Sequence, residues 1–234
     1  GRLQNRHLCV WASHGRYFHI KDSTWKWQRP PLFGTREDLF TQTIVNPYLI
    51  PMLERAGAIV FTPRERDWQR NEVIVDNDTP ESGYMETKGS HRWNHCDSTG
   101  FGLHPGVYVD LENPFEQGTS RQASTVDGPH HQRTVVWKPN IPEAGRYAVY
   151  VSYQTLEKSI DDAHYTVWHQ GVPTEFHVNQ QMGAKTWVYL GSFDFDAGQS
   201  ERNCVTLSNV SKHHHGVVRA DAVRFGGGMG NIRR

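Results

Sequence analysis

The chain has 234 residues with 25 Lys+Arg against 25 Asp+Glu, so no whole-molecule field draws it to nucleic acid or to an acidic membrane surface. Hydrophobic residues are only 36%, but 8 Trp, 9 Tyr and 10 Phe exclude disorder and favour all-β or mixed domains over helical bundles. No window reaches the roughly 20 apolar residues of a membrane span, no signal-peptide core opens the sequence, and three scattered cysteines exclude a disulfide framework or a CxxC zinc site.

The opening residues read as α/β. Leu8 to Ala12 is a short apolar run of the kind that makes a buried strand, and it stops at Ser13-His14-Gly15. A Trp- and Pro-rich loop follows, then a helix with Thr35 as N-cap and Glu37 and Asp38 in the first turn, where the helix dipole favours carboxylates. Phe40, Ile44, Tyr48, Met52 and Leu53 mark one helical stripe that runs to Ala56-Gly57, and Pro47 and Pro51 should kink or split it. Ala58 to Thr62 is a second buried strand, and strand–helix–strand in this order implies a parallel pair.

From about Asp76 the composition turns to Asp, Asn, Thr, Ser, Gly and Pro, and after about Thr134 the helical period gives way to alternation. Tyr147, Val149, Val151 and Tyr153 share one face of a strand. His164 to His169 is another, with a hairpin turn at Gln170-Gly171 before Phe176 and Val178. Trp187 to Leu190, Phe193 with Phe195, Val205 with Leu207, and Val217 to Phe225 add further strands, which together predict an antiparallel sandwich. Residues 226–234 open on Gly226-Gly227-Gly228 and read as a flexible linker. The expected division is therefore an incomplete α/β segment over 1–76, an all-β sandwich with its N-terminal linker over 77–225, and the return linker over 226–234.

His14 ends the first expected strand, where open α/β sheets place ligand sites, and Glu37 starts the next helix. A His and a carboxylate converging on one point supply two of the three protein ligands of a catalytic zinc, although neither residue alone exceeds a packing or capping role. His91, His95, His104, His130-His131 and the tract His213-His214-His215 lie on expected loops and read as surface. In the sandwich, Tyr153, Trp168 and Trp187 could present rings to sugar faces, and Asn179 and Gln180 offer amides to hydroxyls, with core packing as the competing role for each. Asp221, a carboxylate without a partner in the sequence pattern, reads as a residue that holds the last strand.

Val10-Trp11-Ala12-Ser13-His14-Gly15, Arg36-Glu37 at a helix start, and Leu53 through Asp67 together resemble the opening of the zinc-dependent N-acetylmuramoyl-L-alanine amidase fold. Ile141 to Val151, Val178-Asn179-Gln180-Gln181, Trp187 to Gly191 and Ala220-Asp221-Ala222-Val223-Arg224-Phe225 are similar, in order, to the golvesin C-terminal-like domain that occurs in xanthan lyase-type proteins. The first resemblance implies zinc held by His14 and Glu37, with the third ligand and the catalytic acid outside this chain, and peptidoglycan amide hydrolysis by the complete protein. The second implies a module inserted into that fold that binds glycan or packs on the enzyme, the expected partner being peptidoglycan or another polysaccharide. Together they imply a secreted, periplasmic or cell-surface protein. The rival expectations are a xanthan-type polysaccharide lyase and a non-catalytic glycan-binding or scaffold module.

Overall fold

In a computed structural model, the described residues are 2–4, 6–12, 14–62, 67, 69–87, 93–103 and 111–228. The chain divides into two compact units, Gly1–Arg66 and Asp67–Arg234. The expected boundary at residue 76 thus moves forward by ten residues (76 − 66). The reason is a strand at 72–75, which composition alone leaves in the α/β segment and which pairs inside the second unit.

The first unit contains β1 (His7–Cys9), β2 (Arg16–His19), β3 (Thr24–Trp27), α1 (Glu37–Ile44), α2 (Ile50–Arg55) and β4 (Ile59–Phe61). β1 and β4 form the expected parallel pair, in register from His7 opposite Ile59 to Cys9 opposite Phe61. The segment expected to be a Trp- and Pro-rich loop instead folds partly into the β2–β3 hairpin, with Arg16 and Arg36 5.4 and 5.5 Å above the Trp27 ring. Helix α1 starts one residue later than expected. Thr35 spends its backbone in a bridge to Leu32, leaving the extended Arg36 at the N-cap with no side-chain bond. The prolines split the helix: a π-helical turn over Val45–Leu49 accommodates Pro47, and Pro51 sits in the first turn of α2, where its missing N–H costs nothing. Ile50, Ala58 and Val60 make a small core, joined by Leu3, Leu8, Val10, Val45 and Leu53. Most of the predicted stripe lies outside it, with Phe40, Ile44, Tyr48 and Met52 between 46 and 64% exposed.

The second unit is antiparallel throughout its described strand pairs. In chain order they are β5 (Glu72–Val75), β6 (Tyr84–Glu86), β7 (Asn94–Gly100), β8 (Gly118–Ser124), β9 (Thr134–Trp137), β10 (Gly145–Val151), β11 (Ala163–His169), β12 (Val172–Val178), β13 (Val188–Phe195), β14 (Cys204–Ser208), β15 (Val217–Ala220) and β16 (Val223–Gly226). A four-stranded sheet has the order β13-β10-β16-β5, a five-stranded sheet β12-β11-β14-β9-β6, and a three-stranded sheet β15-β8-β7. Alternation explains the layering: Tyr165, Val167, Val205, Leu207, Val135 and Trp137 all point inward and are buried. Trp137 is clamped by Tyr165 at 6.2 Å and Tyr84 at 5.9 Å, and its Nε1 donates to the Asp221 carbonyl at 2.8 Å. Gln170 and Gly171, both at positive φ, make the expected tight turn between β11 and β12.

Two expectations fail here. The linker expected at the start of 77–225 instead supplies β6, β7 and β8; these polar strands carry too few apolar positions to show a period. Gly226, Gly227 and Gly228 are buried rather than free, with a Cβ on Gly227 reaching 2.5 Å from Glu72 and one on Gly228 reaching 2.1 Å from Asp67. Residues 229–234 of the expected linker lie outside the described residues, as do Ser13, His91 and His104.

Candidate functional site

His14 lies beyond β1 rather than on it, in a left-handed turn (φ 63°) that leads through Gly15 into β2. That turn aims the ring at the start of α1, and His14 Nε2 lies 3.2 Å from Glu37 Oε1, so the expected convergence is realised. Arg29 closes the group: its guanidinium is 3.3 Å from His14 Nε2 and 3.9 Å from Glu37 Oε2. Next to Glu37, Asp38 is fully buried; its Oδ2 accepts the Arg29 backbone N–H at 3.3 Å, and its Oδ1 has no hydrogen-bond partner. A cavity of about 360 Å³, lined by Arg29, the two prolines 30 and 31, Leu32, Thr35, Glu37 and Phe40, opens beside this group. The donor chemistry suits zinc, an imidazole nitrogen beside a carboxylate oxygen. The set is nonetheless smaller than a zinc cage, because no third ligating side chain joins the pair among the described residues.

The five sandwich candidates separate sharply. Tyr153 is buried and its hydroxyl donates to the Asn179 and Met182 carbonyls at 3.0 and 2.8 Å; burial pushes its pKa up. Asn179 Oδ1 accepts from the Gln181 backbone. Gln180 is buried, its Oε1 accepting from Arg219 N at 2.9 Å and its Nε2 donating to Arg219 O at 2.7 Å. These three residues are therefore corrected to structural roles: all three are buried, the Tyr153 hydroxyl and both ends of the Gln180 amide are consumed inside the fold, and the Asn179 Oδ1 holds the local backbone. Trp187 is half-buried in an aromatic cluster with Phe101 at 4.9 Å and Phe115 at 5.3 Å. Of the five, Trp168 alone faces outward on a regular strand.

The sheet register identifies what surrounds Trp168. On β11 the residues between the buried Ala163, Tyr165 and Val167 are His164, Thr166 and Trp168. Across the hairpin they stand opposite His177, Glu175 and Pro173. His164 and His177 stack at 4.9 Å, and His164 Nε2 is 3.6 Å from Glu175 Oε2. On the other side Thr166 and Trp168 meet Thr206 and Cys204 of β14. The result is a strip with an indole at one end and a stacked imidazole pair beside a carboxylate at the other. The sequence pattern points to Trp168 and the turn but not to His164, His177 or Glu175. Counting outward from Gln170-Gly171 in steps of two would have paired them.

The histidine tract is held rather than free. His213 Nε2 donates to Asp161 Oδ1 at 2.6 Å, His214 Nδ1 lies 3.2 Å from Asp127, and Ser211 Oγ donates to Asp162 at 2.6 Å. Asp161, Asp162 and His213 offer ligand atoms within 4.8 Å of one another, and Lys212 Nζ sits 3.2 Å from Asp161, so these side chains are engaged with one another as a clasp between loops.

The fold of the second unit is a β-sandwich, and residues 113–227 match the Golvesin C-terminal domain family. The chain is 33% identical over 94 residues to a xanthan lyase of Bacillus sp. (strain GL1), covering 40% of this chain and 10% of that protein. It also superposes on the Paenibacillus xanthan lyase structure with a TM-score of 0.50 and 23% identity, covering 67% of this chain and 13% of that one. The C-terminal CBM6 of a laminarinase from Zobellia galactanivorans matches with a TM-score of 0.39 and 13% identity, over 67% of this chain and 99% of that one. The chain thus spans between 10 and 13% of the length of these lyases. The sandwich part is golvesin-like. Among the described residues, no helix is long and apolar enough to cross a membrane.

Proposed function

We propose that the sandwich is a polysaccharide-binding module of an exported carbohydrate-active protein, and that its sugar-binding strip is the outward face of β11 and β12. The observation that carries this reading is the alignment of Trp168 with His164, His177 and Glu175 on one partly exposed sheet face. An indole face packs against the C–H face of a sugar ring, while imidazole and carboxylate groups donate to and accept from its hydroxyls. Similarity to a xanthan lyase supports a polysaccharide as the ligand. A polymer of that kind is met outside the cytoplasm, which supports secretion or a cell-surface position. In a test by affinity electrophoresis in gels containing xanthan, Trp168→Ala should restore free mobility, with circular dichroism confirming the fold. Equal retardation of the variant and the unaltered chain would refute the strip.

A second reading is favoured by the 3.2 Å approach of His14 to Glu37. In it His14 and Glu37 would be two ligands of a zinc ion in the complete protein, a metal that would supply Lewis-acid polarisation of a peptidoglycan stem amide, and Arg29 lies 3.9 Å from Glu37 Oε2. In the complete protein, His14→Ala should lower bound zinc, measured by metal analysis, and abolish release of stem peptides from peptidoglycan. Undiminished zinc and release would end this reading. Release of unsaturated sugars insensitive to chelator would point to a lyase instead.

A further inference from the structure

The strands β2 and β3 form a two-stranded sheet that no further strand joins among the described residues. Opposite residues of an antiparallel pair share a face, and faces alternate along each strand. The register Arg16–Trp27 and Phe18–Trp25 therefore puts these four side chains on one side of the ribbon, and Tyr17, His19, Thr24 and Lys26 on the other. A hairpin of this size is marginal in water and ordinarily gains from burying its apolar side. Here Phe18 and Trp25 stay 47 and 53% exposed, packed edge to face at 5.7 Å. Two large rings held side by side at the surface are open to an outside partner.

The charge around them is one-sided. Residues 16–37 carry five cations, Arg16, Lys21, Lys26, Arg29 and Arg36, against two carboxylates, Asp22 and Glu37, in a chain whose net charge is zero. Both carboxylates are engaged, Asp22 with His19 at 2.6 Å, Thr24 at 2.9 Å and Lys26, and Glu37 with His14 and Arg29. Arg16 and Arg36 form no ion pair among the described residues. Their guanidiniums share the Trp27 ring, at 5.4 and 5.5 Å from its centre, and donate to carbonyls: Arg16 Nη2 to Trp25 O at 3.4 Å, Arg36 Nη1 to Arg29 O at 3.0 Å. A guanidinium oriented in this way, with donors to spare and no acid beside it, is suited to a carboxylate. The hairpin is rooted at the His14–Glu37 pair: Gln28 N donates to Gly15 O at 2.8 Å, and the chain after β3 leads to Arg29, whose guanidinium reaches His14.

We propose that this face of the hairpin is a binding arm for a polyuronate, a polysaccharide whose successive rings carry carboxylates. Trp25 and Phe18 pack on the C–H faces of the sugars, while Arg16 and Arg36, drawn together at Trp27, pair with neighbouring carboxylates. The 64° between the Phe18 and Trp25 planes suits the puckered outline of a sugar chain; single-stranded nucleic acid would want ring faces on which flat bases stack in succession. A lipid bilayer is a poorer partner, because the tip that would enter it first carries Lys21 and the carboxylate of Asp22. The assignment is independent of the strip on β11 and β12 and of any metal at His14.

The test is affinity electrophoresis of the full chain carrying Trp168→Ala, which takes the strip out of the measurement, through gels containing polygalacturonate or the neutral polymer dextran. Polygalacturonate should retard this chain more than dextran does. Adding Trp25→Ala should raise the Kd for polygalacturonate about fivefold or more, and adding Arg16→Gln about tenfold. Trp25→Tyr, which keeps a ring, should retain most of the binding. Added NaCl should weaken binding less in the Arg16→Gln chain than in its parent, a difference that a merely structural role for Arg16 would not produce. The assignment is overturned by a chain that polygalacturonate does not retard or retards no more than dextran, or by retardation that neither Trp25→Ala nor Arg16→Gln changes. Tighter binding to oligothymidylate or to phosphatidylglycerol vesicles than to polygalacturonate would overturn it as well. Should Trp25→Ala disturb the fold, as read by circular dichroism, Arg16→Gln decides alone.

Discussion

The two units treat their polar and apolar groups in opposite ways. The sandwich buries amides, carboxylates and guanidiniums and satisfies most of them: Gln180, Asn203, Asn209 and Asp221 are each fully enclosed and each bonded to the backbone of another segment. The first unit buries little beyond Ile50, Ala58 and Val60 and leaves Phe40, Tyr48 and Met52 facing outward. Apolar periodicity therefore reports that a face exists and says nothing of what covers it. In the sandwich a second sheet meets that face. On α1 and α2, only the Ile50 side of the stripe is met.

Breaking the comparison is easiest at Gln180. Its side chain serves as a substitute strand neighbour for both backbone groups of Arg219, so Gln180→Ala strands two buried groups and should destabilise the sandwich by about 2–6 kcal/mol in urea unfolding. A cost near zero would mean that water replaces the amide and that the burial is not dry. The helix offers a sharper contrast over two residues. Ile50→Ala should cost about 2–4 kcal/mol of the first unit's stability, whereas Met52→Ala should change it by less than about 0.5 kcal/mol, as followed by hydrogen exchange of β1 and β4. Equal costs would show that the stripe is covered in solution. The smallest effect is chemical. Cys9 is exposed and should alkylate within minutes at pH 8, whereas Cys96 and Cys204 should wait for unfolding; burial, with Glu201 nearby, pushes the Cys204 thiol up to about 11. Mass spectrometry of labelled peptides separates the three.

The legible parts of the molecule are those with a strong period or a turn signature. The β11–β12 hairpin is readable because Gln170-Gly171 sits between two alternating runs, and the β1–β4 pair because a helical stripe separates two apolar runs. The helix split follows from Pro47 and Pro51. The strands β7 and β8 are hidden, since Asn94 to Gly100 and Gly118 to Ser124 are built largely from Ser, Thr, Asp, Gln and Gly and owe their pairing to what Asp78 and Asp221 hold in place. At the site level, His14 and Glu37 meet as expected, because a helix start brings its first carboxylate to a preceding loop. The amides Asn179 and Gln180 are misplaced by sequence: nothing in a polar dipeptide distinguishes a sugar ligand from a patch on a broken ladder. That difference lies in Arg219, 39 positions away from Gln180 in sequence.

In the sandwich, β5 and β16 are neighbours, with Glu72 opposite Gly226. The first and last described strands of this unit thus lie about one strand spacing apart, near 5 Å. Its connectivity is a ring with a single cut, and the cut can be moved. Joining the two ends through a few glycines and reopening the ring at the exposed Gln170-Gly171 turn would give a circular permutant with every sheet neighbour retained.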